Sequence, residues 1–238
     1  GGLKPESAVL VATIRALKMH GGVSKEDLGI ENLKALKKGC VNLTRHIENL
    51  KRFGIKVIVA INRFSADTSA EIELVKEVCV KLGVAAVEAD HWGSGGAGAQ
   101  DLAHAVVDML DKGESDFMPL YPSGMHLWNK IHMIATELYG ASDIIADKKV
   151  RQQITDMQEN YGHFPVCIAK TQYSFSTDPG LKGAPSGHVV PISEVRLSAG
   201  AEFLVVVCGD IMTMPGLPRV PAANSINIDK EGRVTGLF

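Results

Sequence analysis

Three short apolar runs, separated by stretches of helical periodicity, constrain this chain more than any other feature. Ala8-Val9-Leu10-Val11-Ala12-Thr13 is apolar and β-branched, with no polar alternation. Such runs read as strands buried on both faces, the habit of parallel sheets. Residues 56–61 make a second run and residues 84–88 a third. Over residues 42–53, Leu43, Ile47 and Leu50 recur at helical spacing, and Gly54 stands where that helix would stop. Thr68 or Ser69 can cap a helix to about residue 82, with Glu71 and Glu73 in its first turns to suit the dipole. Residues 101–110 predict another helix. Strands and helices alternating over short connections predict an α/β fold with a parallel sheet. Ligands of such sheets sit beyond the carboxyl ends of the strands. Residues 13–22, 62–68 and 90–100 are therefore the segments to inspect.

After residue 118 the texture changes. Met118-Pro119-Leu120-Tyr121-Pro122 reads as a linker. Helices are expected at 127–138 and 150–158, and strands at 166–170, 189–197 and 203–208, the last two a hairpin apart. This pattern divides the chain into an α/β portion, residues 1–118, and a smaller α+β domain, residues 119–238.

Charge and length exclude several function classes. The 238 residues carry 25 basic and 27 acidic side chains, a net charge of −2. No basic excess is available to neutralise a nucleic-acid backbone. No apolar run approaches the roughly 20 residues that cross a bilayer. Cys40, Cys79, Cys167 and Cys208 form no CxxC pair, and the eight histidines show no HExxH spacing, so no metal site is expected. Reduced, mostly buried thiols are expected instead. The chain opens on Gly1-Gly2 and runs almost at once into a strand, which suggests a piece of a longer protein.

Two segments at strand ends can carry chemistry. In Asn62-Arg63-Phe64-Ser65-Ala66-Asp67, an amide and a carboxylate match the donors and acceptors of a purine. The same two residues can equally close a turn and cap the next helix. In Asp90-His91-Trp92-Gly93-Ser94-Gly95-Gly96-Ala97-Gly98, the glycines permit close backbone approach and an anion-holding nest, Gly95 and Gly96 among them. No Lys-Ser or Lys-Thr follows, so this is not a P-loop. Trp92 is a large apolar ring at the start of what reads as a flexible loop. Phe64 and Trp92 follow neighbouring strands and can face each other across one crevice, suiting a flat heterocycle; core packing is the alternative.

Taken in order, these blocks resemble the formate–tetrahydrofolate ligases, or 10-formyltetrahydrofolate synthetases. The carriers are Ala12-Thr13-Ile14-Arg15-Ala16-Leu17-Lys18-Met19-His20-Gly21-Gly22, Asn42-Leu43 with His46-Ile47-Glu48-Asn49, and Val59-Ala60-Ile61-Asn62-Arg63-Phe64 with Asp67. Trp92 with Gly95-Gly96, Ala169-Lys170-Thr171-Gln172-Tyr173-Ser174-Phe175-Ser176, Met214-Pro215-Gly216-Leu217-Pro218 and the closing Gly236-Leu237-Phe238 complete the set. The resemblance spans the chain and implies the carboxyl-terminal part of an enzyme more than twice this length. It implies a P-loop NTPase-like domain whose phosphate loop lies upstream, with ATP and Mg2+ as the substrate complex and tetrahydrofolate as substrate. A monovalent cation is a further candidate. It implies formyl phosphate as the intermediate, a homo-oligomer, and a cytoplasmic enzyme, with organellar forms left open. Phe64 and Trp92 match the aromatic pair that sandwiches the pterin. Asn62, Asp67, Gly95 and Gly96 become further contacts at that crevice. Two other classes stand beside this one: a non-catalytic binding or assembly module, and a purine-nucleotide switch built on Asn62 and Asp67.

Overall fold

A computed structural model describes residues 3–113, 115–211 and 219–236. Met214-Pro215-Gly216-Leu217-Pro218 and the closing Leu237-Phe238 lie outside the described residues.

The first half is strand–helix alternation, as the apolar runs predict. Its elements are β1 (Ser7–Ala12), α1 (Ile14–His20), α2 (Leu33–Arg52), β2 (Lys56–Asn62), α3 (Ser69–Lys81), β3 (Ala85–Ala89), α4 (His91–Ser94) and α5 (Gln100–Asp111). The three strands form a parallel sheet in the order β1-β2-β3. β2 is central and buried along five consecutive residues, Val57 to Ile61. Val57, Val59 and Ile61 face Leu36, Leu43 and Ile47 of α2 and Ile72, Val75 and Cys79 of α3. Ile58 and Ala60 alternate to the opposite face, where α5 crosses all three strands.

Three local expectations are corrected. β1 is not buried on both faces: Val9 and Val11 are exposed, because β1 is an edge strand and α5 leaves part of its outer face open. α2 begins at Leu33 rather than near residue 42, capped by Asn32, whose side chain accepts from the Ala35 amide at 2.9 Å. Gly39 sits inside α2, where a Cβ would lie 1.7 Å from the Leu17 carbonyl oxygen. It is a contact point between α1 and α2. The glycine-rich segment after β3 is not a loose loop but α4 followed by a 3-10 turn, Gly95–Ala99.

The second half builds a separate sheet. α6 (Leu127–Met133) runs into a π-helical turn, Ile134–Leu138. Then come β4 (Asp143–Ala146), α7 (Lys148–Tyr161), β5 (Val166–Ala169), β6 (Val189–Ser198) and β7 (Phe203–Cys208). The sheet order is β4-β6-β7-β5, with β6 and β7 antiparallel as their spacing predicts. β4 pairs parallel to β6, and β5 parallel to β7. Leu127, Ile131, Ile144, Ile154, Val195 and Leu204 belong to its core. A small hairpin, β8 (Asn227–Ile228) with β9 (Val234–Thr235), lies near the end.

Hydrogen bonds tie the two halves together. Asn42 Nδ2 donates to the Gly183 carbonyl at 2.9 Å, and the Gly183 amide donates to His20 Nδ1 at 3.1 Å. Asn49 Nδ2 donates to the Leu138 carbonyl at 2.9 Å. Cys40, Cys79 and Cys208 are buried and free, while Cys167 is free and exposed. Among the described residues, no helix is long and apolar enough to cross a membrane.

Candidate functional site

A cleft of about 530 Å³ opens beyond the carboxyl ends of β2 and β3, lined by Arg63, Phe64, Ser65, Asp90, Trp92 and Gly93. That volume falls within the range of small-molecule sites, and the position is the one a parallel sheet offers to ligands.

One wall is built from the turn after β2. The Arg63 amide donates to the Ala89 carbonyl at 3.1 Å, extending the strand pairing, and its guanidinium pairs with Glu88 at 2.6 Å. The Phe64 amide donates to Asp67 Oδ2 at 2.8 Å, and the Asp67 amide donates back to the Phe64 carbonyl at 3.0 Å. This reciprocal pair holds the Phe64 backbone in place. Burial pushes the Asp67 carboxyl above its usual range, an effect partly offset by the Phe64 amide. Behind the ring, the Arg15 guanidinium lies 5.2 Å from the Phe64 centroid. Phe64 also borders a groove of about 340 Å³ on the α1 side, lined by Thr13, Arg15 and Met19 among others. The ring thus partitions two depressions.

The other wall is the turn after β3. Asp90 caps α4: its Oδ1 accepts from the Gly93 amide at 3.3 Å, and its Oδ2 from the Ser94 hydroxyl at 3.2 Å. The Asp90 amide donates to the Gly98 carbonyl at 3.0 Å. A Cβ on Gly98 would stand 2.1 Å from the Asp90 carbonyl oxygen, so only glycine permits this closure. The segment is pinned at both ends, and it carries Trp92 outward with 76% of its surface exposed. An indole left this open beside a second aromatic ring is an unsatisfied apolar surface.

Phe64 and Trp92 are brought to one cleft, as the strand order predicts. Asn62, Asp67, Gly95 and Gly96 are not in its lining. Asn62 is half-buried at the end of β2, and Asp67 is buried with its carboxylate on the Phe64 amide. Gly95 and Gly96 are exposed in the 3-10 turn. Sequence reasoning missed Arg15, whose approach to Phe64 is purely tertiary. It also missed the cap at Asp90, although Asp-x-x-Gly-Ser after a strand is a readable N-cap signal. In the Lys170–Ser176 block the hydroxyls brace their own loop. Ser174 Oγ donates to the Leu181 carbonyl at 2.6 Å, and Ser176 Oγ to that of Asp178 at 3.0 Å.

Fold and cleft together define an α/β protein with an aromatic-walled cleft at the carboxyl edge of its parallel sheet. The family model described as "Formate--tetrahydrofolate ligase" matches residues 1–238. A protein of that name from Granulibacter bethesdensis is 59% identical over 238 residues, covering 100% of this chain and 42% of the relative. Its counterpart from Sinorhizobium fredii is 58% identical, covering 100% and 43%. The one from Pelagibacter ubique is 56% identical over 237 residues, covering 99% and 42%. The chain belongs to the formate–tetrahydrofolate ligase family. It spans less than half the length of these curated relatives.

Proposed function

We propose that this chain supplies the folate-stacking part of an ATP-dependent formate–tetrahydrofolate ligase, with the pterin ring between Phe64 and Trp92. The observation that carries this reading is the shared cleft, in which one ring is braced and the other stands open to water. Two π faces across one crevice suit a flat heterocycle, and Asp90, Ser65 and Arg63 offer polar partners at its edge. Arg15 behind Phe64 keeps that ring from rotating away from a ligand.

In this reading ATP phosphorylates formate, giving formyl phosphate and ADP. The N10 amine of tetrahydrofolate then attacks the formyl carbonyl, a C–N bond forms, the bond to phosphate breaks, and N10 loses its proton. The contribution of this chain is to hold the amine in line with the carbonyl, a gain of orientation rather than of charge. Among the described residues, no group of three or more His, Cys, Asp or Glu could hold a metal ion. The reading places the Mg2+–ATP complex on a P-loop elsewhere in the protein, as the resemblance to the family implies, with the parallel sheet here part of the same P-loop NTPase-like domain. Residues 1–118 would belong to that domain and residues 119–238 to a smaller one. The reading also includes a monovalent cation as a candidate ligand, a homo-oligomer, and a cytoplasmic site of action with organellar forms left open.

Replacing Trp92 by Ala in the intact enzyme tests it. The ring is exposed, so the core is untouched. Folate affinity should fall by about 1–3 kcal/mol, the scale of aromatic–base stacking, with formate and ATP affinities unchanged. Unchanged folate binding would sink the assignment. Folate binding by this chain without any turnover would instead favour the binding-module reading.

A further inference from the structure

A second cavity, of about 350 Å³, lies between the two sheets, and its lining includes His20, Asn42, His46, Tyr139, Lys170 and Phe175. Four separate segments meet there: the end of α1, the middle of α2, the residue that follows the π-helical turn, and the end of β5 with its following loop. β5 is paired in parallel, so this is again the carboxyl end of a parallel strand.

Its chemistry is one-sided. No acidic residue lines the cavity. Lys170, Arg45 and Lys182 enter none of the ion pairs among the described residues. The Arg45 guanidinium lies 5.7 Å over the Phe175 ring, on which His46 also packs at 4.6 Å. Lys170 Nζ lies 4.8 Å over the Tyr139 ring. Burial drives the Lys170 ammonium down to about 8. Burial also lowers His20, reinforced by Lys182, and lowers His188, reinforced by Lys170 and Arg45. Positive charge is therefore gathered here without its counter-charge.

Donors remain to be used. Lys170 Nζ donates to the carbonyls of Thr171 and Ser174, which leaves one of its three N–H groups. His20 Nδ1 accepts from the Gly183 amide, so the neutral ring carries its proton on Nε2. One donor comes from each half of the molecule. An acceptor with several oxygens can take both, and charge-assisted bonds of this kind are the strong ones. Ile168, Tyr139 and Phe175 supply an apolar wall for a small body attached to such a head.

We propose that this cavity is a binding site for a small oxyanion, phosphate or carboxylate, clasped between Lys170 and His20, with His46 at its mouth. The site is distinct from the aromatic cleft, and the proposal does not depend on the folate reading.

The test is equilibrium binding to the intact protein. Inorganic phosphate and succinate are each titrated against chloride at matched ionic strength, for wild type, Lys170→Met, Lys170→Arg and His20→Gln. The proposal expects saturable binding of at least one anion. Affinity should be about tenfold weaker in Lys170→Met and His20→Gln, the loss of one charge-assisted bond, and largely kept in Lys170→Arg. A preference for phosphate assigns a tetrahedral head, and a preference for succinate a carboxylate. Any other phosphate site in the protein contributes equally to wild type and variants, so the difference isolates this cavity. If Lys170→Met does not fold, His46→Asn at the exposed mouth carries the same comparison. Absence of saturable binding in wild type, or equal affinity across the variants, would overturn the proposal.

Discussion

Two lysines are shut away from water in this chain, one beside each sheet, and each is accommodated differently. Lys18 on α1 and Lys130 on α6 both have 0% exposure. Lys18 Nζ donates to Glu71 Oε1 at 2.9 Å and to the Ile30 carbonyl at 3.0 Å. Glu71 is also fully buried, and it accepts from the Asn32 amide at 3.0 Å and the Thr68 amide at 3.2 Å. It doubles as the acidic member of the capping box that starts α3. Among the described residues, Lys130 has no carboxylate partner. Its three donors go to the carbonyls of Ser123 and Gly162 at 2.7 Å and of Phe164 at 3.0 Å. The first sheet holds its buried cation with a charge, the second with carbonyl dipoles and the Tyr121 ring, 5.5 Å from Lys130 Nζ. A charge left behind in the interior is far harder to tolerate than an unpaired carbonyl.

That difference sets the order of expected effects. Glu71→Gln keeps an oxygen for only one of the Asn32 and Thr68 amides, which bond different carboxylate oxygens, and it strands Lys18 as a buried cation without a counter-charge. Unfolding of the intact protein by denaturant should become easier by about 3–5 kcal/mol. Adding Lys18→Met should recover a large part of the loss. Strictly additive losses in that cycle would mean the pair is not coupled, and the contrast between the sheets would collapse.

The same pair predicts an acid signature. Burial alone would raise the Glu71 carboxyl, but the hydrogen bond from Lys18 and the Asn32 and Thr68 amides outweigh it and leave it below the usual range. A depressed carboxyl contributes fully above the unfolded value, about 4.3, and loses that contribution as pH falls through the folded one. Wild type should therefore lose stability below about pH 4, with that component missing in Glu71→Gln. Asp67, raised by burial, acts in the opposite sense. Asp67→Asn should steepen the acid loss, as read by thermal melts across pH 2–5.

Lys130→Met comes next. Three carbonyls lose their donor while no charge is stranded, so about 2–3 kcal/mol is expected. Hydrogen exchange should localise the change to residues around α6 and the start of β5. An effect matching that of Glu71→Gln would show that dipoles hold an ammonium as firmly as a carboxylate does.

The smallest effects belong to two exposed arginines over rings. Arg151 lies 4.5 Å over Trp128 beside the second sheet, and Arg15 lies 5.2 Å over Phe64 beside the first. Each contact is worth about 0.5–1 kcal/mol at an exposed position. Arg151→Ala should show only that loss in stability. If the proposed folate site holds, Arg15→Ala should also weaken folate binding, because the Phe64 ring it covers borders the cleft. Equal affinity in both variants would remove Arg15 from the ligand site.

Much of the first sheet was legible in the chain. Unbroken apolar runs dictate buried strands, and the central run of β2 is buried along its length. Thr68 and Glu71 announce the start of α3 by a local rule, and the structure closes that capping box. The hairpin of β6 and β7 also follows from spacing. These signals are local, and local hydrogen bonding and period-two burial are enough to read them. The early start of α2 was hidden, because whether Gly39 breaks a helix or admits a neighbour depends on Leu17, distant in sequence. β4, four residues long, has too short a period to stand out.

The aromatic pair was half legible. Strand order alone places Phe64 and Trp92 at neighbouring strand ends, and their residue types say they will not rest easily in water. Only the tertiary structure decided that Asp90 caps a helical turn and leaves Trp92 open, and that Arg15 takes the far side of Phe64. Only it turned Asp67 inward to accept from the Phe64 amide. The gathering of His20, His46 and Lys170 around one cavity comes from packing two sheets together, since side chains far apart in sequence give no local sign that they will share a space. The sequence by itself determined most elements of the first half, the parallel character of its sheet and the family, because those rest on short-range periodicity and ordered motifs. The structure decided which polar groups are spent on the fold and which remain for a ligand, because that depends on long-range partners.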